Sequence, residues 1–184
     1  MSEHDWYTTA SGIAFLPLAP RMEDIRIEDI AHALAATNRF NGHARVPYSV
    51  AQHSVLVSRA LRDGGGTRQD QLHGLLHDAA EAYLCDVPRP LKRRPEMAAY
   101  REAEARLQAM IYARFGLPPE EPASLKLVDR RMLRTEQRDL MPPSPLPDAR
   151  PEEPYAATVV PWTFEAARML FHVMYSIIHE DLSE

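Results

Sequence analysis

His77 and Asp78 are adjacent in the segment HGLLHDAAEAYLCD. They put an imidazole and a carboxylate on neighbouring positions of one helical stretch. Two more residues of the same kinds lie where core residues belong. In YSVAQHSVLVSRAL the apolar face runs through Val50, Val57, Ala60 and Leu61. His53, one turn from both Val50 and Val57, points into that face. In SLKLVDRRMLRTEQRDL the stripe is Leu125, Val128, Met132 and Leu133, and Asp129 sits inside it. A buried carboxylate without a partner is costly, so buried charges pair or coordinate a metal. Two His and two Asp from three helices fill four positions around a divalent ion, and water or a substrate oxygen completes an octahedron. Such ligands suit Zn, Mn, Fe, Co or Ni better than Ca. Each residue also has a plainer reading: His53 as a satisfied core histidine, Asp129 as the ion-pair partner of Arg130 or Lys126. The ordered set of four favours the metal. Glu81 shares the face of His77 and Asp78.

The same residues resemble a known family. His53, His77-Asp78 and Asp129 match the H…HD…D signature of the HD-domain phosphohydrolases. The segments RFNGHARVPYSVAQHS, LLHDAAEAYLCDVPRPLK and VDRRMLRTE are similar to its YfbR-like deoxynucleotidase and DatZ-like dATP triphosphohydrolase branch, over residues 24–140. The resemblance implies an all-α HD-domain bundle in which His53, His77, Asp78 and Asp129 bind a catalytic divalent ion, one of Co, Mn, Zn, Ni or Mg. It implies that Glu81 orients or deprotonates the attacking water. Arg39, Lys92 and Lys126 would hold phosphates, Phe40 would lie beside the nucleoside, and Asp86 would accept the 3′-hydroxyl of a deoxyribose. Phe40 reads equally well as core packing, and the two lysines as solvated charges. The leading expectation is hydrolysis of a deoxynucleoside triphosphate, preferably dATP, to deoxynucleoside and triphosphate. The alternatives are a 5′-deoxynucleotidase acting on monophosphates and a non-catalytic protein that binds nucleotide or metal. Relatives of this type are homo-oligomers, so an oligomer is expected.

Other histidines carry less. His73 precedes His77 by one turn, but Gly74 stands where a zincin helix has its Glu, so His73 reads as a support behind the ligands or as structural. Gly74 itself suits the close approach of another helix. His43, in the FNGHA loop, reads equally as a group that reaches the mouth of the site and as one with no role there.

Several elements must position these groups. Residues 6–20 are irregular or a short hairpin. Helices are expected at 24–36, from Ser49 to the Gly64-Gly65-Gly66 stop, at 68–84, at 95–115, at 121–141 and at 162–181. Ser49 and Gln52 fit a capping box. Pro88, Pro90 and Pro95 separate the third helix from the fourth. Residues 142–161 hold seven prolines and form a linker or an extended surface arm. In the last helix Phe164, Leu170, Phe171, Met174, Ile177 and Ile178 form a stripe for the core or for a subunit interface.

Composition narrows the class. The 184 residues suffice for one domain, with 45% hydrophobic and 26% charged residues, which is globular. A net charge of −5 argues against a nucleic-acid surface. The single cysteine, Cys85, permits no intrachain disulfide and fits a reducing cytoplasm. MSEHDWYTTA is too polar for a signal peptide, and no apolar run suggests a membrane span.

Overall fold

The computed structural model describes residues 5–146 and 151–183. A small antiparallel hairpin, β1 (Tyr7–Thr8) and β2 (Ala14–Phe15), pairs Tyr7 with Phe15. Everything regular after it is helical: α1 (Ile27–Ala36), α2 (Val50–Asp63), α3 (Arg68–Leu76), α4 (Glu81–Leu84), α5 (Arg89–Lys92), α6 (Ala98–Arg114), α7 (Leu125–Leu140) and α8 (Phe164–Ser183). The all-α expectation holds. No helix among the described residues is long and apolar enough to cross a membrane.

Two apolar clusters share α2. One side of α2, through Val50, Ala51 and Val55, joins Ile30 and Leu34 of α1, Leu72 and Leu75 of α3, Leu107 and Ile111 of α6, and Phe171 and Ile178 of α8. The other side, through Val57 and Leu61, meets Tyr48, Leu125, Met132 and Leu140. The α8 stripe divides differently from expectation. Phe171 and Ile178 are fully buried and Met174 is half-buried, but Phe164 and Ile177 are 37% and 49% exposed. The ridge that packs inward is Ala167, Phe171, Met174 and Ile178, one turn apart each, so Phe164 and Ile177 fall beside it.

Local chemistry sets the ends of α2. Ser49 Oγ accepts from the Gln52 N–H at 3.2 Å, an N-cap as expected. The capping box is not completed. Gln52 spends its side chain on the Val160 carbonyl and the Trp162 N–H, both at 2.8 Å. A full capping box forms instead at Thr67 and Asp70, at the start of α3.

Where α3 crosses α2, Gly74 faces Ser58. A Cβ there would lie 2.5 Å from Leu61 Cδ1 and 3.1 Å from Ser58 Cα. Ser58 Oγ donates to the Gln71 carbonyl at 2.8 Å at the same crossing. The close approach read from Gly74 is therefore present.

The expected 68–84 helix is not continuous. It stops at Leu76, passes through a turn at 77–80 and resumes as α4. Three-residue bonds run through the turn, from Ala79 N to Leu76 O and from Glu81 N to Asp78 O, each 3.0 Å. The Leu76 carbonyl and the Ala80 amide are both engaged by Gln108, which periodicity within the segment cannot reveal. The arm is a strap along α7: Tyr155 N donates to Thr135 Oγ1, and Val159 N to Asp139 Oδ2, both at 2.8 Å. Its residues 147–150 lie outside the described ones.

Candidate metal centre

α2, the turn after α3, and α7 bring His53, His77, Asp78 and Asp129 to one point. His53 Nε2 lies 3.3 Å from His77 Nε2, 3.3 Å from Asp129 Oδ1 and 3.7 Å from Asp78 Oδ2. His77 Nε2 lies 3.3 Å from Asp78 Oδ2 and 4.0 Å from Asp129 Oδ1. Ligands held at 2.0–2.2 Å from one ion stand about 3 Å apart when adjacent and about 4 Å when opposite. The observed spacings fall in that range. His53, His77 and Asp129 form a group that can hold a metal ion; Asp78, expected as a fourth ligand, lies beside the two histidines but outside that group.

The far side of each imidazole fixes its tautomer. His77 Nδ1 lies 2.8 Å from the Gly74 carbonyl, which can only accept, so Nδ1 carries the proton. His53 Nδ1 lies 2.6 Å from Glu136 Oε1. Burial would raise Glu136, but Arg39 and His53 beside it outweigh burial and hold the carboxyl below its usual range. Glu136 thus accepts from His53 Nδ1–H. The two Nε2 atoms stand 3.3 Å apart across the site, where a bound cation or a shared proton can lie between them. Histidine ligands are commonly fixed this way by a carboxylate or carbonyl behind the ring.

The electrostatics agree. Burial and the Arg39 charge push His53 down, yet Glu136 and Asp129 prevail and raise it to about 9. Burial would raise Asp78 and Asp129 as well. The histidines and Arg39 hold both below the ordinary carboxylate range. The centre favours positive charge on His53 and negative charge on Asp78 and Asp129.

The remaining expected residues sit at different distances from this point. Arg39 reaches it: Nε donates to Glu136 Oε2 at 3.2 Å and Nη1 to Asp78 Oδ2 at 3.5 Å. Phe40 follows with φ 55°, then Asn41 with φ 52° and Gly42 with φ 75°. A left-handed backbone at a bulky residue is uncommon and strained, a feature concentrated at functional sites. The Phe40 ring lies 5.6 Å from the Arg39 guanidinium and packs partly against the Tyr48 cluster, so its packing role is real.

Glu81 opens α4 and is buried. Burial first, then the Asp78 and Asp86 carboxylates, raise it well above its ordinary value against Lys92 and Arg39. Its Oε1 takes Lys92 Nζ at 3.4 Å, while Oε2 has no hydrogen-bond partner among the described residues. A cavity of about 220 Å³ is lined by His77, Asp78, Glu81, Lys92, Glu104 and Gln108. Lys92 is also held by Glu104 at 2.6 Å. Asp86 is raised chiefly by burial, against Arg39, and no hydrogen bond or ion pair among the described residues joins it to the centre.

Lys126 is exposed, and no ion pair or hydrogen bond among the described residues ties it to the centre. Asp129 does not pair with Lys126 or Arg130; Arg130 pairs with Glu152 at 3.2 Å. His43 is exposed. His73 is buried against Tyr112, ring centroids 4.8 Å apart, with neither ring nitrogen hydrogen-bonded among the described residues. Sequence reasoning missed Glu136, which also accepts from Tyr48 Oη at 2.8 Å. Glu136 follows Asp129 by two helical turns on the same face, but nothing in the charged run RTEQRDL marks it as buried.

Comparison with known proteins places the chain. No family model matches it. It is 41% identical over 132 residues to the uncharacterized protein YfdR of Escherichia coli K12, covering 72% of this chain and 70% of that protein. The chain belongs to the YfdR family. It is also 42% identical over 125 residues to an uncharacterized protein of Rhodobacter capsulatus, covering 66% of this chain and 63% of that relative. Neither name assigns an activity, so YfdR-family membership establishes kinship and leaves the chemistry to the site.

Proposed function

We propose that this YfdR-family protein is a metal-dependent phosphohydrolase of the HD-domain type that acts on nucleotides. Deoxynucleoside triphosphates, dATP foremost, are the leading substrate class, cleaved to deoxynucleoside and triphosphate. The observation that carries the reading is the convergence of His53, His77 and Asp129, with Asp78 beside the histidines and a cavity lined by buried Glu81. The nucleotide class rests on the resemblance carried by His53, His77-Asp78, Asp129 and their flanking segments.

A divalent ion bound by His53, His77, Asp78 and Asp129 would polarise a phosphoryl oxygen and make a water more acidic. Glu81 is suited to take the proton of that water. It is buried beside the ligands, and Oε2 is the oxygen left uncommitted. As the water oxygen bonds to phosphorus, the bond from phosphorus to the 5′-oxygen breaks. Glu81 returns the proton to that oxygen, and the nucleoside leaves. Arg39 lies close enough to Asp78 to offset charge on the phosphate, the main requirement of phosphoryl transfer. Phe40 and Asp86 would border the nucleoside.

One observation favours the second reading, a 5′-deoxynucleotidase. Lys92 is occupied by Glu104 and Glu81 and Lys126 is exposed, so of the three cations expected to hold phosphate only Arg39 reaches the centre, where it already pairs with Glu136 and Asp78; a triphosphate calls for more than one cation. Product analysis separates the readings. Metal-stripped protein is supplied with Co, Mn, Zn, Ni or Mg and offered the dNTPs, the dNMPs and ATP. Deoxyadenosine with triphosphate from dATP supports the leading reading. Orthophosphate from monophosphates alone supports the second. Nucleotide binding with no product under any metal overturns both and leaves a binding protein.

A further inference from the structure

The Leu76 carbonyl and the Ala80 amide are four residues apart, the pair that an uninterrupted α-helix joins directly. Here a side chain from another helix stands between them. Gln108 of α6 accepts from the Ala80 N–H through Oε1 at 3.0 Å and donates from Nε2 to the Leu76 carbonyl at 2.7 Å. Insertion of a side chain into the helical ladder is a sufficient cause of a helix break. The interruption falls between His77 and Glu81, the span that carries the two ligands and the general base. We infer that Gln108 is the positioning residue of this centre: its amide breaks the helix at 77–80 and thereby aims His77, Asp78 and Glu81 into one site.

The geometry inside the break explains what is gained. The Glu81 N–H bonds to the Asp78 carbonyl, a three-residue bond of 3.0 Å. In a turn of that type, side chains three apart eclipse, whereas in an α-helix they diverge by about 60°. Asp78 and Glu81 are three apart, and both line the same cavity. The tightened turn therefore sets the base over the metal ligand. Gln108 lines that cavity too, and its contacts span 28 and 32 residues of chain.

Only a glutamine-length amide does this. An ionised Glu at 108 keeps an acceptor for Ala80 but has no donor for Leu76. A Met of similar length offers neither, and Ala80 N–H is then free to rejoin Leu76 O. The inference rests on the metal reading for its functional consequence, but the break itself can be read without metal. The test uses full-length protein and the variants Gln108→Met and Gln108→Glu. Backbone chemical shifts of residues 77–80 are measured metal-free, and Co²⁺ uptake is followed by its visible spectrum. In Gln108→Met the shifts are expected to move toward regular α-helix, Co²⁺ affinity to fall about 10- to 100-fold, and the spectrum to change shape. Gln108→Glu should move the same way by less, and decides the matter if the Met variant does not fold. Unchanged shifts at 77–80, or Co²⁺ binding with the unmodified affinity and spectrum, overturn the inference. If the unmodified protein takes up no Co²⁺, the metal reading fails by itself, and the chemical shifts alone decide whether Gln108 sets the break.

Discussion

Glu136 gathers three donors at the base of the centre: His53 Nδ1, Arg39 Nε and Tyr48 Oη. It is fully buried, so its charge is stable only while those donors surround it. Replacing it by glutamine removes the charge and presents an NH₂ group to partners that are themselves donors. Glu136→Gln is expected to weaken divalent-metal affinity about 10- to 100-fold with the helical content preserved. Co²⁺ titration of the variant checks this, and an unchanged affinity would show that the ring of His53 is held by packing alone. At this scale the sequence is informative where a polar residue interrupts an apolar stripe, as His53 and Asp129 do. Glu136 lies in RTEQRDL, a run of charges in which one buried member does not stand out. Its partners Arg39 and Tyr48 arrive from loops 97 and 88 residues away.

Helix crossings and ties decide how firmly the ligand-bearing elements are held. At Gly74 two effects oppose each other. Alanine gains about 1 kcal/mol over glycine in a helix, but its Cβ meets Leu61 Cδ1 at 2.5 Å and the Ser58 backbone at 3.1–3.2 Å. A methyl can swing aside; the Ser58 backbone can move only with α2, which carries His53. Overpacking of this kind costs about 1–3 kcal/mol, so Gly74→Ala is expected to lose about 1 kcal/mol net and to bind metal more weakly. Urea denaturation of the metal-free protein gives the stability change, and a gain would show that the crossing has slack.

The strap makes a different prediction. Asp139 is held below its ordinary 3.8 by its hydrogen bond with Arg138, against burial, with help from the Val159 N–H. A depressed carboxylate stabilises the fold above its unfolded pKa, and the contribution is lost as pH falls through the folded value. The Val159 amide shift is therefore expected to titrate below pH 3.8 and to lose that transition in Asp139→Ala. A midpoint above 3.8 would break the assignment. Helix ends at Ser49 and Gly64 were legible because capping is local chemistry. The break after Leu76 was not, because a residue of α6 causes it.

Across the whole molecule, the centre joins parts that apolar packing leaves partly separate. His53 stands on the helix common to both clusters. His77 and Asp78 belong to the side packed with α1, α6 and α8, and Asp129 belongs to the side built on α7. The all-α class was readable from periodicity, and so were the inward places of His53 and Asp129 within apolar stripes, whereas His77 and Asp78 sit in a turn after α3 that periodicity reads as helix. The mutual distances of the four were not readable, since these depend on how α2, α3 and α7 cross. An ion bound at such a junction stabilises the folded state by mass action, about 2.7 kcal/mol at a hundredfold excess over Kd. For a chain of this size each kcal/mol shifts the melting temperature by about 2–4 °C. Metal addition to stripped protein is therefore expected to raise Tm by about 5–11 °C. The double variant His77→Ala, Asp78→Ala should melt at one temperature with or without the ion, since only one carboxylate and one imidazole remain. Thermal scans with Co²⁺, Mn²⁺ or Zn²⁺ read this directly. A shift that survives in the double variant would place the bound ion elsewhere on the molecule, because loss of these two ligands leaves the junction unable to close around a metal.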